Sequence, residues 1–309
     1  ILKTMKKRGE YYITQFFYLN LQTLIFIGKM KQLKFLMVAL TLLMGISFTS
    51  CLNSDSNSDN TQGHFARVKQ GDMTTGYTPY FEDFVGNKLL PTTASLTQIE
   101  ANGDFKMSSS NFAFITYKLV ETEGTTKSES EVTPSSYDIT LLTAVACDGP
   151  TPIMVESDEA MENTVVENAP IFTLIYNTGY SYSPFLYDKE TLFLPIYYKM
   201  ENKVEQVKQH KLNLVCNFEG ITSESTEIVF YVRHDRGTDE KNDVLNVAYN
   251  GYNIKTAIAR FSALTGNEPK KVVVKVKETG EYSSSNTMPE EYTTYSCEFK
   301  AGSAITKNN

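Results

Sequence analysis

The strongest constraint on this chain is a period of two. Val272, Val274 and Val276 fall on one side of an extended segment studded with Lys271, Lys275 and Lys277. Successive side chains of a strand point to opposite faces, so this pattern marks a strand with one face in a core. The same reading applies to Phe112–Leu119, Tyr137–Ala146, Lys211–Phe218, Glu227–His234 and Tyr292–Phe299. Thr191–Met200 is almost wholly apolar or aromatic and is expected to be buried on both faces. Gly86-Asn87 lies between two short strand candidates as a hairpin turn, and Asn102-Gly103-Asp104 is a second turn. One segment has a helical period: Ile254, Ala257, Ile258, Phe261 and Leu264, with Asn253 as expected N-cap and Gly266 as stop. These patterns predict an all-β chain: a small OB-like barrel over 65–147, then a β-sandwich over 170–300, with one short helix near 253–265. Between them, 148–169 carries Pro and six acids without a Lys or Arg, and is expected to be a connection with at most one helical turn around 157–163. Residues 301–309 are expected to be a tail.

The first 64 residues follow a different logic. Met30 opens a short basic stretch with Lys31 and Lys34, followed by an apolar run from Phe35 to Phe48 and then Thr49, Ser50 and Cys51. The run is too short for a comfortable membrane span and has the form of a signal peptide, 30–50. Small residues before a cysteine resemble a bacterial lipobox, which predicts lipidation (palmitate among the acyl chains) and a new N-terminus at Cys51. Residues 1–29 are expected to be an upstream extension that is not native. Residues 51–64 are expected to be a polar tether; Asp55, Asn57 and Asp59 imitate the start of a calcium loop, but Asn60 and Ala66 stand where Gly and Glu are required.

Without residues 1–50, which hold seven Lys or Arg and one acid, the remaining 259 residues carry a net charge of -13. Such a chain disfavours nucleic acid and anionic surfaces, so membrane attachment is expected through the N-terminal lipid. No Gly-x-Ser-x-Gly, His-Glu-x-x-His, Cys-x-x-Cys or glycine-rich phosphate loop occurs. No catalytic residue, metal site or cofactor is predicted, and the chain is read as a non-enzyme. Two local features stay open. His210 and His234 flank strands and could converge with Asp235 or Asp239, as ligands or as ordinary hydrogen-bonding partners. Cys216 and Cys297 share the second domain and could be bridged or be buried thiols. An aromatic crowd, Tyr176, Tyr180, Tyr182, Phe185, Tyr187, Phe193, Tyr197 and Tyr198, reads mainly as core. Its polar part, 177–183, places Tyr180 and Tyr182 among Gly, Ser, Asn and Thr and is the expected binding loop.

Four stretches carry a resemblance to a family. Gly86-Asn87-Lys88-Leu89-Leu90-Pro91, Phe114-Ile115-Thr116-Tyr117, His210-Lys211-Leu212-Asn213-Leu214-Val215 and Tyr231-Val232-Arg233-His234-Asp235 resemble segments of NigD-like lipoproteins. The chain departs from that family at Asp235 and in the polar run 121–136. The resemblance implies an OB-like domain plus a β-sandwich and an outer-membrane or cell-surface location. It also implies, through the family's name, a link to bacteriocin immunity. The expected function is a lipid-anchored envelope protein binding a protein or glycan ligand. The alternatives are a structural or fimbrial-type subunit, or a hydrolase without a recognisable motif.

Overall fold

The computed structural model describes residues 61–103, 105–120, 135–176, 182–280 and 287–308. The first domain is a closed five-stranded barrel, β1 (Thr61–Lys69), β2 (Tyr80–Glu82), β3 (Lys88–Pro91), β4 (Phe112–Leu119) and β5 (Ser136–Ala146), in the order β1-β2-β3-β5-β4. The Gly86-Asn87 hairpin sets Phe81 opposite Leu89. β1 pairs with β4 along its first part and with β2 along its last, sharing Arg67 between the two ladders. Residues 61–64, expected in the tether, are therefore the first half of a barrel strand. Ala66, Val68, Phe81, Leu89, Ile115, Tyr117, Ile139 and Leu141 fill the interior. A helix that the periodicity does not reveal, α1 (Thr93–Ala101), lies against β5, where the Leu141 N–H donates to Ser95 Oγ at 3.1 Å.

The sandwich begins earlier than expected. β6 (Ile153–Val155) and α2 (Asp158–Thr164) arise inside the acidic segment 148–169, and β6 pairs in parallel with β9 (Lys211–Asn217). This part of the expected connection is an edge of the second domain. β7 (Phe185–Asp188), β8 (Thr191–Met200) and a four-residue helix α3 (Val204–Val207) precede β9. β10 (Glu227–Asp235), β11 (Val244–Asn253), α4 (Lys255–Thr265), β12 (Lys271–Val276) and β13 (Thr293–Glu298) follow. The expected tail supplies β14 (Ser303–Ala304) and β15 (Thr306–Lys307), one in each sheet, with Ile305 buried between them. The sheets are β15-β13-β12-β10-β9-β6 and β11-β8-β7-β14. They enclose Leu192, Leu194, Ile196, Leu214, Phe230, Val272 and Val274, and α4 adds Ala257 and Phe261. At the start of α4 the capping position is Ile254; Asn253 still accepts the Lys255 N–H at 3.1 Å.

Cys147, Cys216 and Cys297 are free and buried. Cys216 on β9 and Cys297 on β13 are separated by β10 and β12. Three strand spacings amount to about 14 Å, beyond the roughly 4–7 Å that a bridge requires.

β8 is buried on both faces because the barrel covers the outer face of its sheet. Phe193 meets Phe65 with ring centroids 4.2 Å apart, and Phe65 also packs on Phe112 and Tyr187. Arg67 pairs with Asp188 and donates to Thr191 Oγ1 at 2.8 Å. Gly251 of β11 permits this approach: a Cβ there would stand 2.8 Å from Phe65 and 2.9 Å from Phe112.

Candidate functional site

Of the expected site residues, Cys51 and Tyr180 lie outside the described residues. Tyr182 is half-buried. Its ring stands 4.7 Å from Phe114 and 5.5 Å from Tyr249, both edge-on. Burial pushes its phenol pKa up. The ring is thus engaged in the aromatic seam between barrel and sandwich, and much of the Tyr/Phe crowd has the same destination.

The two sandwich histidines do converge, with Asp239 as the acid and not Asp235. His210 Nδ1 is 2.7 Å from His234 Nε2, His210 Nε2 is 3.1 Å from Asp239 Oδ2, and His234 Nδ1 is 3.2 Å from the Pro170 carbonyl. Asp239 also accepts from the Glu201 and Lys241 N–H groups. The ring nitrogens are spent on each other, so no lone pairs point at a common centre. Among the described residues no group of side chains suits a metal ion. Burial drives His234 down to about 4, which keeps it neutral. With its Nδ1–H given to Pro170, the Nε2 of His234 is left to accept from the His210 Nδ1–H, and the other ring nitrogen of His210 faces the Asp239 carboxylate. The arrangement ties the ends of β8, β10 and the 168–170 segment together. It offers no nucleophile and no open face for substrate.

One residue before His234, Arg233 faces the opposite side of the sheet. It is 2% exposed and donates to Glu162 Oε2 of α2 at 2.8 Å, with Glu167 3.4 Å away. The hydrogen bond from Arg233 holds the Glu162 carboxyl below its ordinary value, while burial raises Glu167. Asp235 then accepts from Asn168 and from the Gly237 N–H. The segment that resembles the NigD-like family is thus a strand end with three structural duties.

The surface feature that the sequence did not reveal is the β1–β2 loop, 70–79. Met73 is 81% exposed and Tyr77 72% exposed, the two most exposed large apolar side chains described. The backbone beneath them is closed. Asp72 Oδ1 accepts from the Thr74 and Thr75 N–H groups, Thr75 Oγ1 accepts from the Asp72 N–H, and the Tyr77 N–H donates to the Asp72 carbonyl at 2.8 Å. Lys88 donates to Thr74 Oγ1 at 2.8 Å. Gly71 packs so tightly that a Cβ there would be 2.5 Å from the Tyr77 backbone. Among the described residues Tyr77 is the non-glycine residue with positive φ, 61°, a conformation that costs about 1–3 kcal/mol and is held only by its surroundings.

No family model matches the chain, and no curated protein matches it. Solved structures do. A candidate lipoprotein of Bacteroides fragilis is similar over 78% of this chain and 99% of its own, with 22% identity and a TM-score of 0.61. A Bacteroides vulgatus protein of unknown function is similar over 77% of this chain and 90% of its own, with 14% identity and a TM-score of 0.48. A NigD-like immunity protein of Bacteroides caccae is similar over 76% of this chain and 93% of its own, with 15% identity and a TM-score of 0.46. For the first, at 22% identity, what is shared is the fold; none of the three is named for an enzymatic activity. The class is therefore a barrel-plus-sandwich protein with the fold of the Bacteroides fragilis candidate lipoprotein. Among the described residues no helix is long and apolar enough to cross a membrane.

Proposed function

We propose that the chain is a lipid-anchored cell-envelope protein without a catalytic centre, which recognises a protein partner through the barrel loop 70–79. The observation that carries this reading is Tyr77: a large side chain left in water on a backbone conformation that the loop must hold against strain. Tyr gives broad apolar contact at modest entropy cost, Met adapts its flexible side chain to a partner's surface, and the loop arrives already ordered, which lowers the cost of binding. Its position suits the task. Nine residues separate Cys51 from Thr61, the start of β1, and the loop follows Lys69 at the other end of that nine-residue strand. A strand of this length spans about 30 Å, so the loop lies at the opposite end of β1 from Thr61.

The test has two arms on the full chain. Cys51→Ala should move the protein from the membrane to the soluble fraction; retention in the membrane would refute the anchor. Met73→Ser with Tyr77→Ser should melt like the wild type and lose the protein that wild type captures from envelope extract. Unchanged capture would place the recognition surface elsewhere.

A further inference from the structure

Among the described residues β11 is an open sheet edge. The Gly251 N–H donates to the Cys147 carbonyl at 2.7 Å, and the Gly251 carbonyl accepts from the Gly149 N–H at 3.1 Å. Both Gly251 groups therefore point away from β8. In an antiparallel ladder this direction alternates residue by residue, so Tyr249, Val247 and Leu245 also turn their N–H and C=O outward. The opposite strand agrees in phase. Tyr197, across from Val247, spends its backbone groups on Phe172 and Thr173 at its other flank. Among the described residues none bonds the outward groups of Leu245, Val247 and Tyr249.

Sheets protect such edges with short strands, Lys, Pro or bulges. The other three edges here follow the rule, with β6 three residues long and β14 and β15 two each. β11 has ten residues, and 244–250, Val-Leu-Asn-Val-Ala-Tyr-Asn, contain no charge and no Pro in a chain that is 21% charged. Leu245 is 38% exposed.

We propose that this edge pairs with the same edge of a second copy of the chain, antiparallel about a two-fold axis through Val247. Two four-stranded sheets then become one of eight. The register is self-complementary. Val247 faces its own mate, and Leu245 faces Tyr249 in both directions, so every outward group is opposite another outward group and six hydrogen bonds form. A slip of one residue would set outward groups against inward ones and lose them. An uncharged edge gives a charged partner nothing to read, whereas it lets two copies of an acidic chain meet without opposed like charges in the seam. The interface is isologous and closes at two copies. Repulsion between the acidic bodies should be screened by salt, so dimerisation should strengthen as salt is raised.

Symmetric cross-linking of the full chain in envelope membranes tests this. A hydrogen-bonded antiparallel pair has Cα atoms about 5.5 Å apart, inside the disulfide window. Val247→Cys should therefore give a reductant-sensitive band at twice the monomer mass. Leu245→Cys lies about 14 Å from its own mate in this register, and Met73→Cys is on the barrel loop. Both should give at least tenfold less. No dimer band, equal bands for the three variants, or an adduct of Val247→Cys with a protein of different mass would each overturn the proposal. In detergent, the wild-type chain should sediment as a dimer and Val247→Pro as a monomer with an unchanged melt, because the lost N–H points away from β8. Should Val247→Pro fail to fold, Leu245→Lys serves, since it adds a charge at an exposed edge position; a stable dimer of either folded variant refutes the pairing.

Discussion

Acidification should cost this protein about 3 kcal/mol through His234 alone. The imidazole is 1% exposed in the sandwich wall. Burial lowers its pKa from 6.5 to about 4, with the Pro170 carbonyl opposing the shift and His210 adding to it. An unfolded chain takes up that proton near pH 6.5, while the folded chain refuses it until about pH 4. Above the first value neither state is protonated and stability is unaffected. Between the two the unfolded state binds more protons, so stability falls as pH falls, and below the second the loss is complete. Each pH unit is worth about 1.4 kcal/mol, and roughly 2.5 units give about 3 kcal/mol. That is a large share of the roughly 5–15 kcal/mol typical of folded proteins. Urea denaturation at intervals from pH 7 to 4, on wild type and on His234→Gln, isolates the effect. The glutamine retains an amide for Pro170 and cannot titrate. The carboxylates Glu162 and Asp239, both below their ordinary values, weaken both proteins alike. The wild-type stability should therefore decline relative to the variant by about 3 kcal/mol over this range. Parallel curves would show that His234 does not carry the burial penalty that its surroundings impose.

Gly251→Ala should destabilise by about 1–3 kcal/mol, because the new methyl must displace Phe65 and Phe112 in the interdomain seam; calorimetry would register an unchanged melt if that seam were slack. Phe193→Ala should cost about 3–5 kcal/mol, since its ring is fully buried against Phe65, Phe185 and Tyr249, and denaturant midpoints measure this directly. Tyr77→Gly should raise stability by about 1 kcal/mol by relieving the left-handed backbone while abolishing capture of the partner, a pairing that a purely structural tyrosine would not give. In Cys51→Ala the three buried thiols should stay silent to a thiol reagent until the protein unfolds, with burial holding Cys147 up to about 12 and Cys297 up to about 11; a thiol reactive in the native state would contradict their burial.

Elements whose residues sort cleanly by face were legible. β4, β8 and β12 match the sequence reading because packing on one or both faces left a direct mark on composition. α1 was hidden because Thr93–Ala101 offers only Leu96 and Ile99 as large apolar residues, and it docks through the Ser95 hydroxyl. β11 was hidden because Asn246, Asn250 and Gly251 interrupt its alternation, each for a local reason: Asn246 donates to the Tyr198 hydroxyl, Asn250 to that of Tyr252, and Gly251 makes room for the barrel. The tail and the acidic segment looked like linkers because two- and three-residue edge strands leave no period to detect. The aromatic crowd was visible, but its purpose depends on which face of β8 the barrel covers, and that is a tertiary fact.

The same distinction explains why the family resemblance speaks to fold and stays silent on ligand. Leu89 fills the barrel, Phe114 the seam and Leu214 the sandwich, while His210, Arg233 and His234 tie strand ends to their neighbours. Every one of these residues is spent inside the molecule. What remains for a partner is the surface, and there two features stand out: the closed loop under Met73 and Tyr77, and the bare edge of β11. They lie on different domains, yet they are not independent. Phe65, on the strand that leads into the loop, packs on Phe193, and Gly251 at the end of the open edge lies against the same Phe65 and Phe112. The seam therefore fixes loop and edge on one body. If two copies join through β11, their loops are presented as a pair at a set spacing, and a partner with two matching sites would be held by both, at a far higher effective concentration than one loop provides.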